Sequence, residues 1–256
     1  MRKVLVSHGQ AIDIRPHSLS RRTFAKLAGA AVATRSMRHA GNAAEEPQKA
    51  RSLFDGRTLD GWIQIENKPT SLSRSGITGW IVKDGAMSST GSGRGVIYTA
   101  NDYSHFRLQF TMRHVSGNPA HQACVLIFCS RPRAGEKALD ALGGIQFQVP
   151  KGGHWDYRPG MNNDGGREFT WIAKPPFDEH AWSSVEIVAN AAKGTARMAV
   201  AQPPGTKAIE VLAFEDPTVG KEGPIAWQMH NAGLFDEYKD VRIELDPKDD
   251  RLITTR

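Results

Sequence analysis

Glutamine and histidine side chains interrupt two segments that otherwise alternate like β-strands. Gln146 and Gln148 share one face of the first segment, and Gln228 and His230 share one face of the second, because successive side chains of a strand point to opposite faces. An amide both donates and accepts hydrogen bonds, which suits a ligand rich in hydroxyl groups. The pattern favours a polar groove for a carbohydrate, and solvated surface amides are the alternative interpretation.

A long irregular segment, Lys151 to Glu168, follows the first of these strands. A loop of this length inside a compact domain is usually functional or disordered. Its aromatic and charged side chains favour an ordered binding loop, because aromatic ring faces can cover the C–H side of a sugar. The residues predicted to contact substrate there are His154, Trp155, Asp156 and Tyr157.

The elements that position these side chains are predicted to be β-strands throughout. Phe106–Arg113 alternates apolar and polar residues and predicts a half-buried strand, whereas Val125–Phe128 is apolar on both faces and predicts a central one. Gly, Pro, Asn and Asp clusters separate further short strands, as in an all-β sandwich of two antiparallel sheets. These further strands are predicted at 96–98, 145–149, 169–172, 185–189, 196–201, 209–214, 225–229 and 241–245.

The first 44 residues predict a twin-arginine export signal. Arg21 and Arg22 follow a serine and precede Phe24 and a short apolar run, and such a signal is an address rather than part of the fold. A short amphipathic cytoplasmic helix is the alternative. The prediction places the mature protein in the periplasm or outside the cell, with a linker at 45–52, the sandwich domain at 53–247 and a tail at 248–256.

Charge and composition narrow the function classes. Residues 1–44 carry a net charge of +7 while the whole chain carries +6, so the remainder carries −1. The basic pI therefore belongs to the signal, and a nucleic-acid partner loses its main support. No apolar run is long enough for a transmembrane segment, and the sequence does not fix the oligomeric state.

The two cysteines are predicted to be small buried hydrophobic residues. Cys124 and Cys129 are five positions apart in one apolar run, so an extended strand would separate them by about 16 Å on opposite faces. That separation excludes a disulfide without a sharp bend. Zinc-site spacing is absent as well.

Three segments together resemble the 3-keto-disaccharide hydrolase domain family, over roughly Leu53 to Pro247. They are the opening Phe54-Asp55-Gly56 within the turn-rich stretch to Trp62, the step from Trp80 to Asp84-Gly85, and the closing Gly223-Pro224-Ile225 strand with Gln228 and His230. The resemblance implies a concanavalin A-like jelly-roll β-sandwich. It also implies cleavage of glycosides whose glucose carries a ketone at C3.

Such a ketone acidifies the C2–H bond, so that the group at C1 can leave by elimination before water adds. This route requires a base, a stabiliser of the developing enolate and a proton donor. His230 is the first candidate for acid or base. Arg131 matches the family's arginine at the end of an apolar strand and is the candidate enolate stabiliser, while Gln146, Gln148 and Gln228 would hold hydroxyl groups.

The chain departs from the family pattern at two places. His121-Gln122-Ala123 stands where relatives carry Asn-Ser-Gly, and Gln146 stands where they usually carry Glu. Losing that carboxylate removes a general base or a metal ligand while keeping the hydrogen-bonding shape. The candidate replacements are His121, His154, Asp156 and Glu168. The sequence requires no cofactor, and it leaves room for a divalent metal held by His and carboxylate groups.

Three functions remain in view. The first is an exported enzyme that cleaves 3-keto-glycosides, with His230 and a titratable side chain of the long loop converging on the sugar. The second is a non-catalytic, lectin-like carbohydrate-binding module, which the glutamine at position 146 favours. The third is a structural sandwich for a protein partner at the cell envelope, which would present a broad apolar surface.

Overall fold

The structure is a computed structural model that describes residues 49–65, 79–117, 123–132, 142–158 and 175–256. The predicted signal, the predicted strand at 169–172 and most of the predicted loop fall outside these residues. The described residues contain no helix that could cross a membrane. Their regular elements are β1 (Arg51–Ser52), β2 (Trp62–Ile65), β3 (Trp80–Lys83), β4 (Ala86–Ser89), β5 (Gly95–Thr99), β6 (His105–Ser116), β7 (Ala123–Ile127), β8 (Ile145–Val149), β9 (His154–Asp156), β10 (Ser183–Asn190), β11 (Thr195–Ala201), β12 (Ile209–Glu215), β13 (Ala226–Met229) and β14 (Phe235–Leu245).

The strands form two antiparallel sheets. The back sheet has eight strands in the order β12-β11-β10-β6-β14-β4-β3, with β1 added beside β14, and the front sheet has six in the order β2-β5-β13-β7-β8-β9. Strands far apart in sequence are neighbours in both sheets. The predicted all-β sandwich of two antiparallel sheets is confirmed, and each sheet has an inner face toward the shared core and an outer face away from it.

Alternation of apolar residues produces the core between the sheets. Phe110 and the other even-numbered apolar residues of β6 point inward. Phe110 meets Trp227 of the front sheet at 5.8 Å between ring centroids, and Tyr238 of the back sheet lies 5.4 Å from the same indole. Burying each such side chain contributes about 1.5–3 kcal/mol, so these cross-sheet contacts fix how the two layers pack.

The turn-rich opening fastens the start of the domain to this core, as the sequence predicts. Phe54 and Trp62 are buried, and the Trp62 indole N–H donates to the carbonyl of Leu53 at 2.8 Å. Asp55 Oδ1 accepts the backbone N–H groups of Arg57 and Thr58 at 2.7 and 2.8 Å. The Asp side chain therefore closes the turn that brings both aromatic residues onto one surface.

Part of the predicted linker and the end of the predicted tail both pack against the sandwich. Residues 51–52 form β1 beside β14. Residues near the C-terminus lie on the outer face of the back sheet, where Glu186 accepts the backbone N–H groups of Ile253 and Thr254. Arg107 donates to the carbonyl of Arg251 at 3.0 Å. The sequence does not predict this clamp, because strand alternation assigns Arg107 and Glu186 to solvent.

Two local predictions need correction. The segment beginning at Lys151 is not irregular throughout, because β9 pairs with β8 at the edge of the front sheet. Cys124 and Cys129 are free and buried, as predicted. Their predicted positions on opposite faces need correction, because Phe128 has φ +54° and interrupts the strand alternation between the two cysteines. Cys129 packs with the outer-face residue Leu126, and burial raises the pKa of its thiol.

Candidate functional site

Glutamine side chains gather on the outer face of the front sheet, which we call the amide face. Gln228 and Gln148 lie on opposite sides of Cys124 in one row across β13, β7 and β8. Gln146 lies one row further along, between Leu126 and Trp155. Two strand spacings separate Gln228 from Gln148, or about 10 Å, so one ligand of a few sugar rings could reach both.

Two of these amides are buried without satisfied hydrogen-bonding groups. Gln228 is 1% exposed, and neither its Oε1 nor its Nε2 has a partner within the described ranges. Gln146 is 3% exposed, its Nε2 contacts the sulfur of Cys124, and its Oε1 has no partner there. Leaving a buried polar group unmatched costs about 1–3 kcal/mol. Such groups therefore point to a ligand that supplies the missing hydrogen bonds.

Apolar and aromatic side chains surround the amides. Val96, Tyr98, Leu126 and Ala226 form a separate cluster on this face, and Tyr157 packs against it. Trp155 is half-buried beside Gln146 at the edge of the sheet. Apolar walls with a few convergent polar groups are typical of small-molecule sites. The structure brings the predicted substrate-binding residues Gln146, Gln148, Gln228, Trp155 and Tyr157 together on one surface, and their contact with a substrate stays a prediction.

His230 stands at the end of the amide face. It follows β13 directly, is half-buried, and by strand alternation projects to the same side as Gln228. A two-residue step along a strand places the two side chains about 7 Å apart. His230 is therefore the titratable side chain that the strand order brings next to an unmatched amide.

Arg131 lies beyond the other end of the sheet from His230, so the structure does not bring these two candidate catalytic residues together. Because β7 and β13 are antiparallel, the residues that follow their C-terminal ends lie beyond opposite ends of the strands. Arg131 instead donates to the carboxylate of Asp102 and, at 2.6 Å, to the carbonyl of Ala100. It cannot stabilise an enolate formed beside His230.

His154 and Asp156 face inward rather than toward the amide face. His154 lies opposite Phe147, with its ring 5.3 Å from that of Phe214 in the core. Burial lowers the pKa of His154 to about 2. Asp156 is buried and pairs with Arg158 at 2.6 Å. Both were predicted to bind substrate. They do not lie with Trp155 because side chains alternate along β9, so that residues 154 and 156 point inward while Trp155 points outward.

The described residues do not include every predicted candidate for a general base or a metal ligand. His121 and Glu168 lie outside the described residues. Within the described part of the front sheet, the strands place no carboxylate on the amide face. No group of three or more His, Cys, Asp or Glu side chains in the described segments could hold a metal ion.

The core also holds a His–Asp pair that sequence reasoning did not single out. His114 Nδ1 and Asp236 Oδ1 are 2.7 Å apart, and the register places them on the same inner face as Met112 and Tyr238. Burial alone would lower the pKa of His114, but the hydrogen bond and charge of Asp236 outweigh it and raise that pKa. Each residue is 1% exposed, so the pair is inaccessible to a substrate and acts as a link between β6 and β14. Even-numbered alternation along β6 would have predicted its inward position.

The two antiparallel sheets form a concanavalin A-like β-sandwich. The carbohydrate-binding module CBM66 from Bacillus subtilis is similar to the chain, with 14% identity, a TM-score of 0.50 and coverage of 72% of this chain and 95% of that one. Lectin II from Ulex europaeus is also similar, with 10% identity, a TM-score of 0.43 and coverage of 78% and 98%. A comparison with curated proteins found no match.

The family follows from the sequence of the domain. The model of the 3-keto-alpha-glucoside-1,2-lyase-like domain matches residues 49–244, which is most of the chain. The chain therefore belongs to that family, and the resemblance seen in its opening and closing motifs is confirmed.

Proposed function

We propose that this protein binds a 3-keto-glycoside on the amide face and cleaves it by elimination followed by hydration. The observation that carries the proposal is a pair of buried amides: both polar atoms of Gln228 and the Oε1 of Gln146 lack partners in the described chain. Hydroxyl and ketone oxygens of a sugar can satisfy both kinds of amide atom. The family name supports a keto sugar rather than an ordinary one.

The proposed chemistry assigns distinct tasks to His230 and Gln228. His230 takes the proton from C2 as the C1–O bond breaks, and the protonated His230 then gives that proton to the leaving oxygen, which yields the free aglycone and a 1,2-unsaturated 3-keto sugar. Gln228 Nε2 donates to the C3 oxygen as negative charge develops there, as an amide can in an oxyanion hole. Water then adds its hydroxyl to C1 and its proton to C2.

Export completes the proposal. The predicted twin-arginine signal at residues 1–44 would deliver the domain to the periplasm or beyond the cell, where glycosides are available. Deleting residues 1–44 should leave the protein in the cytoplasm, which fractionation of cells that express both forms would measure. Equal export of both forms would contradict the signal.

A non-catalytic binding module is the second candidate, and one specific observation favours it. The described strands offer no carboxylate on the amide face, so a second titratable group would have to come from elsewhere in the chain. CBM66 supports a binding role for this fold. The described residues lend less support to a structural sandwich, because their exposed large hydrophobic residues, Ile63, Ile209 and Ile253, belong to separate elements.

One assay separates the candidates. The protein is incubated with a 3-keto-α-glucoside, and aglycone release and thermal unfolding are followed together for wild type, His230→Gln and Gln228→Leu. We expect release by wild type, loss of at least about a hundredfold in kcat for His230→Gln, and retained thermal protection in that variant. Gln228→Leu should lose both release and protection.

The other outcomes are also decisive. Protection without release in wild type establishes the binding module. Neither release nor protection overturns the assignment of the amide face. Release that persists in His230→Gln removes His230 from the mechanism while leaving the family's reaction in place. A chelator arm tests whether a divalent metal participates.

A further inference from the structure

A second cavity lies on the opposite side of the molecule from the amide face. It occupies about 390 Å³ on the outer face of the back sheet, within the range of small-molecule pockets. Strands β6 and β10 form its floor. The β11–β12 turn, the C-terminal segment and β14 form its walls, and we call it the back cleft.

The floor of the back cleft presents neutral polar groups. Gln109, Thr111 and Ser184 line it, and Thr111 lies opposite Ser184 in the ladder between β6 and β10. Thr111 is 9% exposed, and its hydroxyl makes no hydrogen bond within the described segments. A hydroxyl at the floor of a cavity that has no partner in the protein is open to water or a ligand.

The neighbouring Glu186 does not share this property. It accepts hydrogen bonds from Arg107 at 2.9 Å and from the backbone N–H groups of Ile253 and Thr254 at 3.0 and 2.9 Å. Its oxygens are therefore occupied in holding the C-terminal segment, and that segment gives the cleft a fixed wall. The remaining hydrogen-bonding groups of the cleft lie on its floor and along β14.

The rim along β14 carries one charge of each sign. Asp240 and Arg242 both line the cleft, and within the described residues neither forms an ion pair with the other or with a third group. The β14–β6 register is irregular between Lys239 and Arg242, and Asp240 has φ +54°; such bulges re-aim side chains. Lys239, the nearest cation in sequence, lies over the Trp182 ring at 4.2 Å instead.

We propose that the back cleft is a second binding site, for a small neutral saccharide. An acceptor-only carboxylate, a donor-only guanidinium and an amide that does both match a ligand whose hydroxyl groups donate and accept at once. An anionic ligand would meet Asp240, and a cationic one would meet Arg242. The alanines Ala201 and Ala208 provide apolar wall for the C–H faces of a sugar ring. This site does not depend on the function of the amide face.

The test uses the Gln228→Leu protein, in which the amide face is disabled, and trehalose as the probe. We expect trehalose to shift the backbone amide resonances of Gln109, Thr111 and Ser184 in a saturable NMR titration. Replacing Thr111→Val together with Ser184→Ala should weaken the affinity about tenfold or more, since each lost hydrogen bond costs about 1 kcal/mol. Thr195→Val, a strand threonine outside the cleft, is the matched control.

Two results would overturn the proposal. The first is the absence of saturable shifts at the cleft, or equal affinity in the double variant and the Thr195→Val control. The second concerns the ligand class: glucuronate, an anionic sugar, binding the cleft more tightly than trehalose would show that Arg242 dominates and that the neutral class is wrong. Retained dispersion of the spectrum shows that each variant is folded.

Discussion

On the outer face of the back sheet, Glu186 is almost completely buried and both of its oxygens accept hydrogen bonds. On the outer face of the front sheet, Gln228 is equally buried, and the described chain offers its amide nothing. The two buried polar groups therefore differ in whether their hydrogen bonds are satisfied. In the back sheet the buried Glu186 holds the C-terminal segment to the fold, whereas in the front sheet the buried Gln228 amide has no hydrogen-bond partner in the described chain.

The largest effect on stability should come from replacing Glu186, the buried group whose hydrogen bonds are satisfied. Glu186→Ala leaves the Arg107 guanidinium, 6% exposed, with only the less buried Glu244 as an acidic partner, and it frees the backbone N–H groups of residues 253 and 254. Removing one partner of a buried ion pair costs about 3–5 kcal/mol, and we expect a loss of that size in the free energy of urea unfolding. Arg107→Met with Glu186→Met should cost less than the single change. If Glu186→Ala is as stable as wild type, the contacts of Glu186 with Arg107 and the C-terminal segment do not stabilise the fold.

A histidine whose folded pKa is lowered by burial should show its effect in acid. Because the folded pKa of His154 is about 2 and the unfolded value is about 6.5, the unfolded state binds the proton first as pH falls. Stability from this residue is present above pH 6.5 and should decline by about 1.4 kcal/mol per pH unit below it. Urea unfolding at pH 6.5, 5.5 and 4.5 measures this slope. His154→Leu should reduce this slope by the contribution of one bound proton, about 1.4 kcal/mol per pH unit. Equal slopes for the two proteins would refute the burial effect.

The smallest effect on stability should come from replacing Gln228, the buried amide without a partner in the described chain. Gln228→Leu removes polar atoms that the described chain does not satisfy, so the free energy of unfolding should change by less than about 1 kcal/mol while ligand binding is lost. Gln64 provides the matched control in the same sheet, because its amide accepts from the Trp80 N–H at 2.7 Å and donates to the Trp80 carbonyl. Gln64→Leu should cost about 1–3 kcal/mol. Equal costs for the two variants would erase the distinction between the faces.

Most of the fold could be predicted from the sequence. Side-chain alternation placed Phe110 inside the sandwich and put Gln146 and Gln148 on a common face. The motifs around Phe54 and Gly223 identified the family. Local patterns suffice here because the direction of a strand side chain depends only on its position in the alternation.

The site was predictable only in part. Gln228 and Gln146 are far apart in sequence, and it is β7, lying between β13 and β8, that brings them onto one surface. His154 and Asp156 have the right chemistry for a sugar site, but the pairing of β9 with β8 turns them inward. Arg131 follows a strand that runs antiparallel to the one before His230, so the two residues lie at opposite ends.

Residue periodicity and short motifs were sufficient to predict the strand faces, the sandwich class and the family. Only the tertiary structure shows which polar residues lie together and which of their hydrogen-bonding groups have partners in the described chain. Strand order and antiparallel register determine those distances, and they depend on pairings between distant segments that no local pattern encodes. For the same reason only the fold could show that Arg107 and Glu186, polar residues on outward positions, are buried beneath the C-terminal segment.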